Sequence, residues 1–287
     1  GVKSNITMNT QLYEGELFAA LRDAETVLNA GADAIITADL GLASLIKKYF
    51  PEAELHASTQ VCGENAENAK MLEKLGFSRA VLPRELSEKE IAAIAAQTDM
   101  ELEYFVHGAL CMCVSGQCCF SAVLGSRSGN RGACAQPCRL PFGAPYGTGH
   151  DLSLKDFSFI PRVEELRKAG ICSVKIEGRL KRPEYVAAVT SVYASLLAEG
   201  RKPTAEEQKN LALAFSRSGF TEGYYLDRRG KAMFGTRGED ERWPEEWFSE
   251  LRRAYEKENL RTAGVDFTLT VRAEEAMSLT AADSFGH

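Results

Sequence analysis

Asp33-Ala34-Ile35-Ile36-Thr37-Ala38-Asp39, followed by a helix-periodic run from Gly41 to Phe50 and a stop at Pro51, reads as one strand-helix unit. The unit recurs along the chain. Ser4 to Asn9 alternates as a strand, and Glu14 to Ala30 carries helical periodicity that ends at Gly31. Leu55 to Thr59 and Asn65 to Leu75 form the next strand and helix, Arg79 to Arg84 and Ser87 to Gln97 the next, and Glu101 to His107 is a further strand. Downstream, Asp151 to Lys155 reads as a strand, Ile160 to Ala169 as a helix and Ser173 to Glu177 as a strand. Short strands alternating with helices of about 10 to 15 residues imply right-handed crossovers and a parallel sheet, open or closed. Seven strand candidates are one short of a closed eight-stranded barrel. Gly1-Val2-Lys3 reads as the tail of an earlier helix-to-strand connection. The expected fold class is therefore α/β, a TIM-barrel-like parallel (β/α) barrel incomplete at its N-terminus, with a helical C-terminal extension.

From Pro183 the pattern turns helical, with Glu184 to Glu199, Ala205 to Arg217 and Trp243 to Glu258. Gly219 to Gly238, rich in glycine and charge, is expected as a surface loop, and Val265 to Arg272 alternates as a terminal strand. The expected organisation is a barrel domain over 1–182 with a Cys-rich loop at 108–140, a helical extension over 183–260, and the start of a truncated β domain over 261–287.

A chain of 287 residues that is 45% apolar can bury a sizeable core. Its net charge of -6 argues against a generally basic nucleic-acid-binding surface, while leaving room for a local basic groove. No apolar run has membrane-spanning length and no secretory pattern opens the chain, so no membrane partner is expected and a cytoplasmic address is the default.

Six of the eight cysteines fall between Glu103 and Arg139, directly after the Glu101 to His107 strand. Clustered thiols in a large non-secretory chain point to metal or redox chemistry rather than to a disulfide framework. Cys62 and Cys172 lie apart and read as buried small apolar residues. Within the cluster, Cys111 and Cys118 are separated by six residues, Cys134 and Cys138 by three. Four thiolates suit zinc or a 4Fe-4S cluster; the wide first pair departs from the usual zinc ribbon and favours iron-sulfur. Cys113 and Cys119 are further thiols that either pair could recruit.

Arg127, Asn130, Arg131, Gln136 and Arg139 are interleaved with the thiols, beside Gly125, Gly129 and Gly132. Arginine forks recognise carboxylates and phosphates, and glycine lets backbone approach a ligand. The plainer alternative is that these arginines only balance the charge of a cluster and satisfy loop carbonyls. A second constellation is Lys175, Glu177 and Arg179: strand alternation points Lys175 and Glu177 to one side, at an edge that is catalytic in closed barrels, unless they simply fill the interior as an ion pair. His56, Ser58 and Gln60, Arg84 and Glu85, and Lys155 and Asp156 should converge there too. His107 near Cys111 raises the thought of a thiol with a base, though a strand-end histidine beside metal-ligand cysteines is more economically a supporting group or a substrate contact. No His-Glu-x-x-His or Gly-x-Ser-x-Gly motif is present.

The run Glu103 to Cys111, Ser115-Gly116-Gln117-Cys118 to Ser121, the Arg127 to Cys134 segment, Gln136-Pro137-Cys138-Arg139, Lys175 to Arg179 and His56 to Gln60 together resemble the signature of Peptidase family U32, the collagenase-like proteases. The resemblance runs colinearly from residue 1 to about 230. It implies one of two activities. The family name implies a peptidase acting on collagen-like chains. Several members instead resemble oxygen-independent hydroxylases of transfer RNA, ribosomal RNA and ubiquinone, which carry a 4Fe-4S cluster and take oxygen from prephenate. Carried onto this chain, that branch implies Cys111, Cys118, Cys134 and Cys138 as metal ligands, prephenate as co-substrate and RNA as partner. The tail after Trp243 resembles the longer branch that contains the ribosomal-RNA hydroxylase. Prephenate is a small dicarboxylate, which suits the arginines. The expectation is an iron-sulfur RNA hydroxylase with His107, Lys175 and Glu177 as catalytic candidates and with Arg127, Asn130, Arg131, Gln136, Arg139, Arg179, His56 and Gln60 as substrate or anion contacts. A peptidase taking a peptide substrate is the first alternative, and a metal-stabilised RNA-binding protein the second.

Overall fold

A computed structural model describes residues 2–145, 147–216, 219–236, 245–256, 265–270 and 278–283. Expectations touching Gly1, Arg217, Gly238, Trp243, Glu258 and Arg272 lie outside these residues. The chain divides into two compact units, Gly1–Pro244 and Glu245–His287.

Side-chain caps start the helices that the sequence pattern announces. Asp39 accepts from Leu42 N at 2.9 Å, Asn65 from Asn68 N at 2.9 Å, and Ser87 closes a reciprocal box with Glu90. Strands and helices then alternate: β1 Asn5–Met8, α1 Leu17–Asn29, β2 Ala34–Thr37, α2 Leu40–Tyr49, β3 Leu55–Ala57, α3 Ala66–Lys74, β4 Arg79–Val81, α4 Glu88–Ala95 and β5 Glu101–Gly108. The excursion after β5 holds the short helix α5 Phe120–Gly125 and the hairpin strands β6 Phe142–Ala144 and β7 Gly147–Gly149. It is followed by β8 Phe157–Ser158, α6 Val163–Lys168, β9 Ser173–Ile176, α7 Pro183–Glu199 and α8 Ala205–Ala214. The second unit contains α9 Glu245–Tyr255 and an antiparallel hairpin of β10 Val265–Thr270 and β11 Ser278–Asp283.

Strands β1 to β5 pair in parallel in chain order, and β9 pairs in parallel with β5. Each parallel step requires a crossover, and the amphipathic helices supply it. The core lies between sheet and helices, where Ile35, Leu42, Ile46, Leu55, Leu82 and Ile91 are buried, each contributing about 1.5–3 kcal/mol. The architecture is thus a parallel-dominated, TIM-barrel-like α/β sheet, but among the described residues the sheet does not close. No described helix is long and apolar enough to cross a membrane.

Two expectations are corrected. Asp151 to Lys155 is not a ladder strand: Leu154 makes a single bridge to Phe234, and Lys155 N donates to Met233 O at 2.8 Å. Pairing begins at β8, which runs antiparallel to β5 across His107 and Gly108. The Gly219 to Gly238 segment is no mere surface loop either. Its Tyr225 and Met233 are buried, and Thr221 N donates to Asp156 O at 2.8 Å, because its aromatic and apolar residues outweigh its charge.

Candidate functional site

Because β1 to β5 and β9 are parallel, their C-terminal ends gather on one edge. A cavity of about 740 Å³ opens there, floored by Ile36, Val81 and Phe105 and roofed by the loop that follows β5. Ligand sites in parallel sheets lie at this edge as a rule.

The loop is held down at its tip. Glu85 takes the N–H and hydroxyl of Ser115, Cys62 Sγ donates to Ser115 O at 2.9 Å, and Asn130 Nδ2 donates to Gly116 O at 2.7 Å. Gly116 has φ +76° and packs so closely that a Cβ would lie 2.5 Å from Gln60 O. With its NH2 turned toward them, Gln60 donates to the carbonyls of Asn130 and Asn9 at 3.1 and 3.2 Å. Arg139 ties the two ends of the loop together, donating to Leu110 O, Leu154 O and Ser153 Oγ.

Cys111, Cys118, Cys134 and Cys138 all line the cavity. So does Cys113, which neighbours Cys118, whereas Cys119 precedes α5 and does not line the cavity. Cys134 Sγ accepts from Gln136 N at 3.3 Å and from Ser121 Oγ at 3.8 Å, the donor pattern that steadies a thiolate. Desolvation comes first in holding the Cys111 thiol above its ordinary range, with neighbouring Cys138 and Cys134 adding to it and Arg84 and Arg139 opposing. Cys113 is raised by desolvation and by Cys118. Among the described residues no three donor side chains stand close enough to grip a single ion. A zinc site needs thiolates about 2.3 Å from one centre. A 4Fe-4S cluster takes one thiolate on each of four irons, and four cysteines around one cavity supply a donor set of that chemistry. Cys62 and Cys172 are not the buried apolar residues expected: Cys62 is half-buried against the loop, and Cys172 is exposed with its thiol 3.4 Å from Leu102 O.

Lys175, Glu177, Arg179, Asn130 and Gln60 line the same cavity. Lys175 and Glu177 share it without pairing with each other. Lys175 Nζ is 3.2 Å from Glu103 Oε1, while Glu177 Oε2 accepts from Arg84 Nη2 at 2.8 Å. Ser173 and Arg79 also hold the buried Glu103; despite desolvation, the largest influence on it, Lys175 and these partners keep its carboxyl below the usual range. Arg179 spans strand end and loop, donating from Nη2 to Gly132 O at 3.1 Å and from its backbone N to Glu177 Oε1 at 3.1 Å.

The other expected contacts lie elsewhere. His56 is bound to Glu54 Oε1 at 2.9 Å, Arg131 pairs with Glu16 at 2.7 Å, and Arg127 Nε donates to Ala133 O at 3.1 Å. Gln136 is exposed at the left-handed turn entering Pro137. His107 is fully buried against Tyr185, Tyr193 and Phe220 and does not line the cavity; desolvation pushes its pKa down to about 3. That reading rested on the position of His107 at a strand end near Cys111; the pairing register of β5 with β9 slips between Phe105 and His107. Neither Lys155 nor Asp156 lines the cavity. Sequence reading put Arg84 at this edge without giving it a role, and passed over Phe105, which alternation along β5 could have flagged.

Three relatives bear on this chain. It is 40% identical over 240 residues to the 23S rRNA 5-hydroxycytidine C2501 synthase of Escherichia coli (strain K12), covering 81% of this chain and 35% of that protein. It is 31% identical over 280 residues to the tRNA hydroxylation protein P of the same strain, covering 78% and 62%. It is 32% identical over 255 residues to a collagenase of Porphyromonas gingivalis (strain ATCC BAA-308 / W83), covering 80% and 61%. The chain therefore spans from about a third to about three fifths of these relatives. The profile of Peptidase family U32 matches residues 1–234, through every strand and loop that forms the cavity, and the chain belongs to that family.

Proposed function

We propose that this chain is an iron-sulfur-dependent RNA hydroxylase that works without molecular oxygen and takes its oxygen from prephenate. The observation that carries the reading is the gathering of Cys111, Cys118, Cys134 and Cys138 around one cavity with the cations Lys175 and Arg179. Two of the relatives are named for hydroxylation of RNA, which supports RNA as the substrate class. The four cysteines would hold a 4Fe-4S cluster, which supplies one-electron and Lewis-acid chemistry when bound. Glu103 fixes Lys175 as a point charge for a carboxylate. Ile36, Val81 and Phe105 give the cavity an apolar floor that limits water around reacting groups. Asn130 and Gln60 use their amide N–H groups to hold the loop, so their part is to shape the cavity.

The peptidase reading is supported by the collagenase-named relative. Against it, among the described residues no histidine lines the cavity, so a thiol nucleophile there has no imidazole base. Protein purified without oxygen separates the readings: the hydroxylase requires about four irons and four sulfides per chain. RNA from a strain lacking the gene should lose one hydroxylated nucleoside by mass spectrometry. Stoichiometric zinc without iron, or unchanged RNA together with cleavage of denatured collagen, overturns the proposal.

A further inference from the structure

The Arg84 guanidinium lies face-on to Phe105, with its central carbon 3.8 Å from the ring centroid, and it lines the cavity. Its Nη2 donates to Glu177 Oε2 at 2.8 Å. Its Nε is buried and meets no acceptor. These two donors form one edge of the guanidinium, the edge that receives a carboxylate side-on in two-point geometry. Glu177 therefore occupies half of a two-point site. Buried donors without acceptors are uncommon in folded chains, and each asks for an explanation.

Glu177 does not take the second donor, because its backbone and Cβ are held in place and its other carboxylate oxygen is already engaged. Its backbone N donates to His107 O at 3.0 Å, and its Oε1 accepts from Arg179 N at 3.1 Å. Gly108, at φ +132°, leaves Glu177 Cβ only the space of a missing side chain: a Cβ on residue 108 would stand 2.5 Å from it. Phe105 holds the guanidinium plane from beneath, and Lys175 Nζ lies 5.5 Å from the same ring, so a second cation flanks the position.

We infer that Arg84 is the principal carboxylate anchor of the cavity, with Glu177 its resting counter-ion, and that a bound carboxylate displaces Glu177 and engages Nε and Nη2 together. This rests on the reading of the cavity as a dicarboxylate site. It adds a specificity rule: the site selects ligands with a planar carboxylate over point anions such as chloride, because the edge offers two parallel donors.

The test is titration calorimetry of the anaerobically purified, iron-loaded chain with prephenate, and with phenylpyruvate as a monocarboxylate. Arg84→Gln should weaken prephenate binding on the order of 100-fold. Arg84→Lys, which keeps the charge but not the two-point edge, should still weaken it about ten-fold. Glu177→Gln should bind prephenate as tightly as the native chain or more so, since no carboxylate has to leave. Iron content and far-UV circular dichroism show that each variant is folded. If the native chain binds neither acid, the dicarboxylate reading itself falls. If the native chain binds prephenate and Arg84→Gln or Arg84→Lys binds it equally well, only the assignment of Arg84 falls, and loss of binding in Glu177→Gln removes the counter-ion role.

Discussion

Glu85, in the connection between β4 and α4, accepts both the backbone N–H and the hydroxyl of Ser115, at 2.6 and 3.0 Å. One carboxylate thereby holds the tip of a loop whose other residues carry the thiols. Hydrogen bonds to charged groups are worth about 1.5–3 kcal/mol each, so this contact adds substantially to the hold that Cys62 and Asn130 have on the tip. Glu85→Ala should raise the rate at which an iron chelator strips the loaded protein by at least about ten-fold, while Glu85→Gln, which keeps an acceptor, should fall between. Equal stripping rates in all three proteins would show that the tip is held by something else.

Close approach of backbone to backbone makes a second prediction. Alanine at 116 would need φ +76° and would place its Cβ 2.5 Å from Gln60 O, so Gly116→Ala should cost about 1–3 kcal/mol and lift the loop from β3. Gly125, at the end of α5, has nothing within 4 Å of the same position, so Gly125→Ala should change stability by less than about 0.5 kcal/mol. Urea unfolding midpoints of the two variants, measured side by side, check the contrast.

His107 sets a pH window. Its pKa is about 3 in the folded chain because burial disfavours the charged ring, against about 6.5 when unfolded. Between those values the unfolded chain binds the extra proton, so stability falls as the pH drops, by about 1.4 kcal/mol per pH unit. Carboxylates held low by partners, such as Glu54 beside His56 and Glu207 beside Arg201, act in the same direction only below about pH 4.5. The difference between the native chain and its His107 variant over the span from pH 6.5 to 4.5 therefore reports this histidine. His107→Phe should flatten the stability profile there in urea titrations; an unchanged slope would mean that the ring gains a proton without unfolding.

The strand-helix alternation was legible because it is written in local residues: caps at Asp39, Asn65 and Ser87, and apolar strands between them. The thiols were legible for a similar reason, since six of eight sit in one stretch. What was not legible depended on distant partners. β8 is two residues long and exists through pairing with His107 and Gly108 some fifty positions earlier. Arg131 and His56 are ordinary cavity candidates by type, and only the fold reveals that Glu16 and Glu54 already occupy them. His107 was a candidate for its place at a strand end near Cys111, and only the fold shows that it packs among Tyr185, Tyr193 and Phe220 instead.

The thiols themselves can be sorted by substitution. Cys111, Cys118, Cys134 and Cys138 line the cavity, Cys113 lines it beside Cys118, and Cys119 does not line it. Serine is a poor ligand for iron in a site built from thiolates, so replacing any of the four should lose most of the iron and the visible absorbance. Cys119→Ser should leave both unchanged. Cys113→Ser is the informative case, because that residue stands within reach of the assigned ligand Cys118. If the four-cysteine assignment is right, the variant keeps its full iron complement, and its spectrum shifts only slightly as a hydroxyl replaces the thiol beside Cys118. If it instead loses iron as severely as Cys118→Ser does, Cys113 is a ligand, and the pair that begins the site is Cys111 and Cys113 on one side of the Ser115 tip. Iron and sulfide analysis of the six serine variants, purified without oxygen, decides between these outcomes.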